Sequence, residues 1–497
     1  MSTNNSLGEA TDAAQDAVLP IAPLDASEVT QWDIETDVAV VGLGIAGTCA
    51  AISAHEAGAR VAAFERGGAG GGTSALSGGL IYLGGGTPIQ EACGYTDTAE
   101  NMERFLLEAC GPDADADKVH AYCQGSVAHY NWLVDHGVPF KGEFCDEPNR
   151  EPITDAGLCF SGGEDSWPFN TIADVVPRGH HPQFPDTAGG FLMECLTGAL
   201  AKTDVAVHTD ARVERLIVDA GRVVGLVARV DGRDLHVCAT GGVILCAGGF
   251  IFNEEMLALY CPEALRPFSA WRVGTDNDDG RGIRLGEGAG GTTTRMDSVE
   301  CALPIGPPHR MARALLVGKD GKRFINEDTY TGRIGHRALV DQQGEIYMIV
   351  SEEIFEVNFV GMRITWAAET PEELAADVGL PADVLAETIA TYNQHAENGT
   401  DPEWHKEPDF LVPLRPPYGA IDLRVDSKAI YAPFTLGGLK TDPDSHVLDP
   451  SGVPVPGLYA AGRSTAGIAA HGYVSGISLG DGSFFGRRAG ESAARKK

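Results

Sequence analysis

The sequence predicts an α/β protein in which a discontinuous, doubly wound sheet domain carries an inserted α+β domain. Three observations support this prediction. A buried-strand pattern at 38–42 runs into closely spaced glycines, at 42, 44 and 47, and then into small helix-forming residues. The same strand-then-glycine pattern returns at 242–250 and at 457–463, whereas the stretch 293–431 lacks it. Because segments from both ends of the chain share one pattern, we expect them to form a single domain around the insertion.

The glycines of the first pattern predict a phosphate-binding turn. Gly42 permits a tight turn, Gly44 lets the backbone approach a pyrophosphate, and Gly47 lets helix and strand pack closely. A second strand, 60–64, ends on Glu65, whose carboxylate can accept hydrogen bonds from both ribose hydroxyls. A tight turn between unrelated elements is the alternative. The strand before, the helix after and the acid at this distance favour a Rossmann-like, dinucleotide-binding domain.

Composition restricts the classes of partner. At 497 residues the chain is long enough for two or three domains, and its formal net charge of −33 opposes binding to nucleic acid or to anionic membrane surfaces. The eleven cysteines show no CxxC pair and no zinc spacing, which is typical of a reducing cytosol. Residues 1–28 lack the features of a signal peptide or a spanning helix. We therefore expect a cytoplasmic protein with no integral membrane association and a flexible N-terminal tail.

The segment 67–86 is too rich in glycine for a regular element. It could be a flexible linker, or a loop whose N–H groups and Ser/Thr hydroxyls wrap a flat cofactor and its phosphates. The apolar island at 80–83 would be out of place in a solvated linker. The cofactor loop is the favoured interpretation.

Apolar residues at three- and four-residue spacing predict helices. These are 99–109, 118–136 and 188–202. The segment 145–185 is rich in Pro, Gly and Asp without a clear period, so we expect a long surface excursion there. Short strands separated by Gly/Asp turns then predict a meander inserted into the sheet. They are 205–208, 211–218, 222–230 and 234–239, with 242–250 as a separate strand after them.

The change of pattern along the chain predicts the domain boundaries. The units are a flexible tail at 1–30, the first part of the cofactor domain at 31–292, the inserted domain at 293–431 and the C-terminal part of the cofactor domain at 432–497. The inserted domain should contain helices at 371–378 and 381–398, with Thr370 and Asp383 as helix starts. A helix from about 478 to 494 should close the cofactor domain.

Five motifs together resemble one superfamily. They are the fingerprint with Glu65, the loop 73–86, the strand end Ala247-Gly248-Gly249, the segment 321–327 and the run from Gly462 to Tyr473. In this order, over roughly residues 35–490, they resemble the FAD-dependent fumarate reductase and 3-ketosteroid dehydrogenase superfamily. The resemblance implies FAD and a capping domain that closes over the isoalloxazine ring. The expected cofactor contacts are Gly42, Gly44, Ala46, Gly47, Glu65, Arg66, Thr73, Ser74, Ser77, Gly78, Gly79, Val213, Ala247, Gly248, Gly462, Arg463, Ser478 and Leu479.

Departures from the family pattern distinguish its branches. The fumarate reductases carry an arginine where this chain has Tyr330, and another soon after the terminal His-Gly, where this chain has only hydroxyl and apolar residues up to Ser478. A dicarboxylate would lose its bidentate partners, so a neutral ketone fits better. The segments most closely resemble the 3-ketosteroid Δ4-(5α)-dehydrogenases. The Δ1-dehydrogenases have a glycine where this chain has Ile477.

The resemblance also implies roles for three hydroxyl groups. Tyr473 would donate to the substrate carbonyl oxygen, and Ser475 would accept the proton from carbon 4. Because serine alone is a weak base, Tyr330 would relay this proton towards solvent. Considered without the resemblance, Tyr473 and Ser475 could belong to a glycine-rich turn, and Tyr330 could be a surface aromatic. Arg463 stands where many relatives have an acid.

The sequence is also compatible with other functions. One is a flavin electron-transfer protein without a substrate pocket, and others are a 3-ketosteroid Δ1-dehydrogenase or a fumarate-reductase-like ene-reductase. The sequence contains no CxxCH heme motif and no iron–sulfur cysteines, so we expect an external electron acceptor. A small-molecule steroid ketone is the expected substrate.

Overall fold

The computed structural model describes residues 17–146, 154–306, 309–358 and 360–495. The first strands are β1 (Leu24–Asp25), β2 (Ile34–Val41), β3 (Val61–Phe64), β4 (Ile81–Tyr82), β5 (Phe144–Cys145), β6 (Leu158–Cys159), β7 (Gly179–His180), β8 (Ala206–His208), β9 (Ala211–Asp219), β10 (Arg222–Val230) and β11 (Arg233–Leu245). They are followed by β12 (Ser269–Ala270), β13 (Thr293–Thr294), β14 (Val299–Ala302), β15 (Leu315–Gly318), β16 (Ile346–Ser351), β17 (Trp366–Ala368), β18 (Tyr418–Asp422), β19 (Ile430–Thr435), β20 (Gly438–Leu439), β21 (His446–Leu448) and β22 (Pro454–Ala460).

The α-helices cover both domains. They are α1 (Ile45–Glu56), α2 (Gly72–Ala75), α3 (Pro88–Ala92), α4 (Ala99–Ala109), α5 (Ala116–Asp135), α6 (Gly189–Leu200), α7 (Glu254–Tyr260), α8 (Arg281–Gly288), α9 (Thr331–His336), α10 (Pro371–Val378), α11 (Ala382–Glu397) and α12 (Ile477–Ala494). Within the described part of the chain, no helix has both the length and the apolar composition needed to cross a bilayer.

The main sheet places β2 at its centre. β2 pairs in parallel with β3 and β11, and β22 pairs in parallel with β11. Side chains of β2 alternate between two cores: Val38 and Val40 pack with α1 and α12, whereas Ala39 and Val41 pack with α7 and α8. A strand buried on both faces is what a doubly wound sheet requires, so the predicted α/β fold class is confirmed.

The predicted meander is confirmed for β9, β10 and β11, which pair antiparallel, but two of its details were wrong. The segment 205–208 was expected to belong to the meander, whereas β8 pairs in parallel with β3 at the opposite edge of the sheet. The segments 234–239 and 242–250 were expected to be separate strands, whereas Arg233–Leu245 is one strand. Its register against β2 shifts between Ala239 and Gly242, where Gly242 has φ +136°. Gly242 therefore marks an irregularity within one continuous strand. A larger residue would not fit there, because its Cβ would meet the Gly457 carbonyl oxygen at 2.4 Å.

The prediction of a flexible tail over 1–30 is wrong for its described part; residues 1–16 lie outside the described residues. β1 pairs in parallel with β9, with Leu24 opposite Ile217. Arg215 Nη2 donates to the Pro23 carbonyl at 2.6 Å, and Arg284 Nε donates to the Leu19 carbonyl at 2.8 Å. Strand pairing and hydrogen bonds from two arginine side chains to its carbonyl groups hold this segment, so it docks with little apolar surface of its own.

The predicted surface excursion at 145–185 is also wrong for much of its described length; residues 147–153 lie outside the described residues. β6 and β7 form a small sheet with β4 and β5, and Arg178 is completely buried beside them. Its guanidinium donates from Nε and Nη2 to the Asp97 carboxylate, both at 2.8 Å. A bidentate partner makes the burial of this charge possible. A search for apolar periodicity cannot detect such an ion pair, so the segment was expected at the surface.

The inserted α+β unit has its own core. A four-stranded sheet, β15-β16-β18-β17, packs against α10 and α11. Thr370 caps α10 as predicted, since its side chain accepts the Glu373 N–H at 3.2 Å. Asp383 does not start α11: Pro381 is the N-cap, and Asp383 lies in the first turn. We propose the same boundaries, 293 and 431, for this unit.

Candidate functional site

One cavity of about 400 Å³ lies at the carboxyl ends of β2, β3 and β11 and extends to the inserted domain. Its volume is in the usual range for a small-molecule site, and carboxyl strand ends are where α/β sheets bind ligands. All the residues predicted for the site line this cavity except Gly47. The structure therefore brings the predicted cofactor residues and the three predicted hydroxyl residues together.

The three fingerprint glycines have distinct surroundings. A Cβ on Gly42, which has φ +90°, would meet the Cys246 carbonyl oxygen at 2.4 Å, and one on Gly47 would meet the Gly42 carbonyl oxygen at 1.8 Å. A Cβ on Gly44 would come no closer than 3.5 Å, to Ser74 Oγ, and Gly44 lines the cavity. Gly44 thus leaves an open cradle at the N-terminus of α1, where backbone N–H groups favour an anion.

Gly47→Ala should destabilise the protein and release its cofactor. The backbone oxygen of Gly42 cannot move without disturbing the turn, so we expect a loss of about 3 kcal/mol in unfolding free energy. The measurements are thermal unfolding and the flavin content of the purified protein. Gly198→Ala in α6 is the control: nothing lies within 4 Å of its Cβ position, and it should unfold no earlier than the wild type.

Glu65 is already engaged by the backbone. Its Oε2 accepts the Leu43 N–H and its Oε1 accepts the Gly67 N–H, both at 2.7 Å. A carboxylate has about four acceptor positions, so this buried group retains capacity for a ribose hydroxyl. Its ribose contact stays a prediction. Its observed role is to join the glycine turn to the end of β3.

Asp278 connects three segments of the cavity wall, and the sequence analysis missed it. Its carboxylate accepts hydrogen bonds from Thr73 Oγ1, from the Gly249 N–H at 3.1 Å and from Arg463 Nη2 at 3.2 Å. A Cβ on Gly248 would meet its Oδ1 at 1.9 Å. Arg463 therefore has its acid partner on a different segment of the chain. The acidic run 276–279 before α8 was the available signal.

The arginines that line the cavity all have carboxylate partners. The pairs are Arg66–Asp279 at 2.8 Å, Arg212–Glu214 at 3.8 Å, Arg281–Glu214 and Arg463–Asp278 at 3.2 Å. A dicarboxylate would need guanidinium groups that are available to it. The charge arrangement of this cavity therefore favours an uncharged substrate.

Aromatic side chains form the end of the cavity next to the inserted domain. The rings of Tyr330 and Tyr473 are stacked with centroids 6.5 Å apart, and Phe434 approaches Tyr473 edge-on at 5.1 Å. The Tyr473 oxygen accepts the Ser478 N–H at 3.4 Å. Burial raises the pKa of Tyr473 to about 12. Its hydroxyl therefore stays protonated near neutral pH and can donate to a carbonyl oxygen.

The backbone of Ser475 is held by the segment that was expected to be a surface excursion. Its N–H donates to the Ser161 carbonyl at 3.3 Å, and Ser161 Oγ donates to the Ser475 carbonyl at 3.1 Å. The Ser161 N–H in turn donates to Glu164 Oε2 at 3.1 Å. Gly476 follows with φ +93°, and a Cβ there would meet the Tyr82 nitrogen at 2.9 Å. Ser475 is thus fixed at the N-terminus of α12.

Comparison with known proteins assigns the chain to a family. Residues 37–479 match the family described as FAD binding domain. The chain belongs to this FAD-binding family. The residues present also fit FAD on structural grounds, because the open cradle at Gly44 and the first turn of α1 suit a pyrophosphate.

Several relatives of this FAD-binding protein have known structures or activities. One is 3-ketosteroid-Δ4-(5α)-dehydrogenase from Rhodococcus jostii RHA1, whose crystal structure was solved in complex with 4-androstene-3,17-dione. The two sequences are 46% identical, and the structures superpose over 96% of this chain and 100% of that chain with a TM-score of 0.91. The chain is 26% identical over 532 residues to 3-oxo-5-alpha-steroid 4-dehydrogenase of Comamonas testosteroni, covering 93% of this chain and 97% of the relative. It is 30% identical over 440 residues to NADH:acrylate oxidoreductase of Vibrio harveyi, covering 81% of this chain but only 41% of that relative's length.

The FAD-binding protein is therefore an FAD-dependent oxidoreductase of the fumarate reductase and ketosteroid dehydrogenase superfamily. The predicted superfamily, fold class and cofactor are confirmed. The individual roles of the lining residues stay predictions.

Proposed function

We propose that the protein desaturates a 3-ketosteroid next to its ketone, by Δ4-(5α) dehydrogenation. The observation that carries this proposal is the composition of the cavity end beside the inserted domain. Three hydroxyl residues, Tyr330, Tyr473 and Ser475, meet there among the apolar side chains of Ala432 and Phe434. The similarity to two Δ4-type steroid dehydrogenases supports the same substrate class.

Desaturation beside a ketone requires the loss of a proton from carbon 4 and of a hydride from carbon 5. Tyr473, held neutral by its burial, donates a hydrogen bond to the ketone oxygen as enolate character develops. Ser475 accepts the carbon 4 proton and passes its own proton to Tyr330. FAD, when bound, supplies the hydride acceptor. An external electron acceptor would then reoxidise the cofactor.

The test is anaerobic bleaching of the bound flavin by three compounds in parallel. A 5α-3-ketosteroid should bleach the flavin, whereas a 4-ene-3-ketosteroid and succinate should not. Bleaching by the 4-ene-3-ketosteroid would instead indicate a Δ1-dehydrogenase, and bleaching by succinate a fumarate-reductase-like enzyme. Bleaching by none of them would contradict the proposal and favour an electron-transfer protein.

A further inference from the structure

Glu300 is a buried carboxyl group next to the proposed proton path. It lies on β14, directly opposite Phe434 of β19 in an antiparallel pair, and on the same strand face as Ala302. Both Phe434 and Ala302 line the cavity. Glu300 itself is 1% exposed, and its Oε1 has no hydrogen-bond partner among the described residues. A buried carboxyl oxygen without a partner is costly, so the retention of Glu300 at this position calls for a role.

The Glu300 carboxyl and the Tyr330 ring are neighbours. A Cβ placed on Gly332 would meet Glu300 Oε1 at 2.0 Å and Tyr330 Cζ, the carbon that bears the hydroxyl, at 2.6 Å. Both atoms therefore border the same small space above the Gly332 backbone, which only a glycine leaves open. The carboxyl oxygen without a partner is the one that points into this space.

We propose that Glu300 is the final acceptor of the proton that leaves carbon 4, and that it acts through Tyr330. This inference rests on the proposed function. Ser475 takes the carbon 4 proton while giving its own hydroxyl proton to Tyr330, and Tyr330 gives its phenol proton to the Glu300 carboxylate. The two hydroxyls end unchanged, and Glu300 becomes neutral. The hydride from carbon 5 leaves separately to the flavin, so one proton and one hydride account for the new double bond.

The surroundings of Glu300 determine how the relay depends on pH. Burial raises the pKa of Glu300 to about 8. The titratable or charged groups on the neighbouring elements are Tyr330, Tyr431, Tyr473, Cys110, Cys301, Arg333, His336 and Arg463. Burial raises the pKa values of both thiols and of Tyr473 and lowers that of His336, and Arg463 is paired with Asp278. Dehydrogenation needs the ionised carboxylate, so its rate should rise as pH increases towards 8.

The decisive variant is Glu300→Gln, which keeps the shape and removes the titration. In the wild type, the anaerobic bleaching rate with a 5α-3-ketosteroid should rise roughly tenfold per pH unit between about pH 6 and about pH 8. In Glu300→Gln the rate should be at least about tenfold lower at high pH and nearly independent of pH. Glu287→Gln, at a half-buried carboxyl outside the cavity lining, is the matched control and should keep the wild-type profile. A wild-type profile in Glu300→Gln would overturn the inference.

Thermal unfolding gives a readout that does not need turnover. Because the pKa of Glu300 is raised in the folded protein, the folded state keeps a proton that the unfolded chain releases above about pH 4.5. The stability contributed by the neutral carboxyl is thus lost as pH rises through about 8. The Tm of the wild type should fall relative to that of Glu300→Gln between about pH 5 and about pH 9.

The two measurements separate the inference from the proposed function. Bleaching without the relative shift in Tm would reject Glu300 as the proton acceptor and leave the steroid activity standing. The shift in Tm without bleaching by any ketosteroid would reject the proposed function and, with it, the source of the proton. Gly332→Ala adds a third arm: its Cβ should separate the carboxyl from the phenol, lowering the bleaching rate while the Tm still depends on pH.

Discussion

Ser475→Ala should lower turnover of a 5α-3-ketosteroid by about 10²–10⁴-fold while the protein stays yellow. The hydroxyl is the proposed first acceptor of the carbon 4 proton, and the backbone contacts with Ser161 that fix this position do not involve the removed oxygen. Steady-state kcat and KM with an artificial electron acceptor, together with the visible spectrum, provide the measurement. Because the change removes a step and not a substrate contact, kcat should fall more than KM changes.

Ser451→Ala, in an exposed turn before β22, is the control for this experiment. It should behave as the wild type. If Ser475→Ala retained near-normal turnover, the proton would have to leave carbon 4 by another route, and the relay through Tyr330 would lose its first member.

Tyr473→Phe should reduce turnover by about 10²–10³-fold, again without loss of the flavin. The phenol is the proposed hydrogen-bond donor to the ketone oxygen, and the ring that packs against Phe434 and Tyr330 is preserved in phenylalanine. Stopped-flow bleaching isolates this chemical step from reoxidation. The Ser478 N–H would lose its partner, so thermal unfolding should be measured alongside.

Tyr95→Phe is the matched control, since Tyr95 is a partly buried tyrosine that packs edge-on against Phe144 and does not line the cavity. Its turnover should equal that of the wild type. An unchanged bleaching rate in Tyr473→Phe would contradict the proposed role of this phenol as hydrogen-bond donor to the ketone.

The cofactor domain could be predicted because its chemistry is local in sequence. Gly47 is required by its contact with the Gly42 carbonyl oxygen, within one strand–turn–helix unit. The glycine spacing, the flanking strand and helix, and Glu65 together predicted the turn from the sequence. Tyr473 and Ser475 lie in one short segment, and their roles were inferred from the resemblance to the ketosteroid dehydrogenases and not from their spacing.

Residues whose role depends on distant partners could not be predicted in this way. Arg178 pairs with Asp97, which lies 81 residues earlier in the chain. Glu300 lies near the ring of Tyr330 only because β14 packs against the start of α9. An acid between Val299 and Cys301 was a visible anomaly in an apolar strand. Only the fold shows which group faces it.

The position of β22 has a consequence for biosynthesis. The central sheet pairs β2, near the start of the chain, with β11, and β11 with β22, after which α12 packs against α1. The ribosome must therefore have synthesised the chain through β22 and α12 before the phosphate turn is supported from both sides. Until then, the nascent chain exposes an apolar edge on β11, a state that favours chaperone binding and aggregation. Flavin capture should accordingly be a late event, and overproduction at reduced temperature with added riboflavin should increase the yield of the yellow protein.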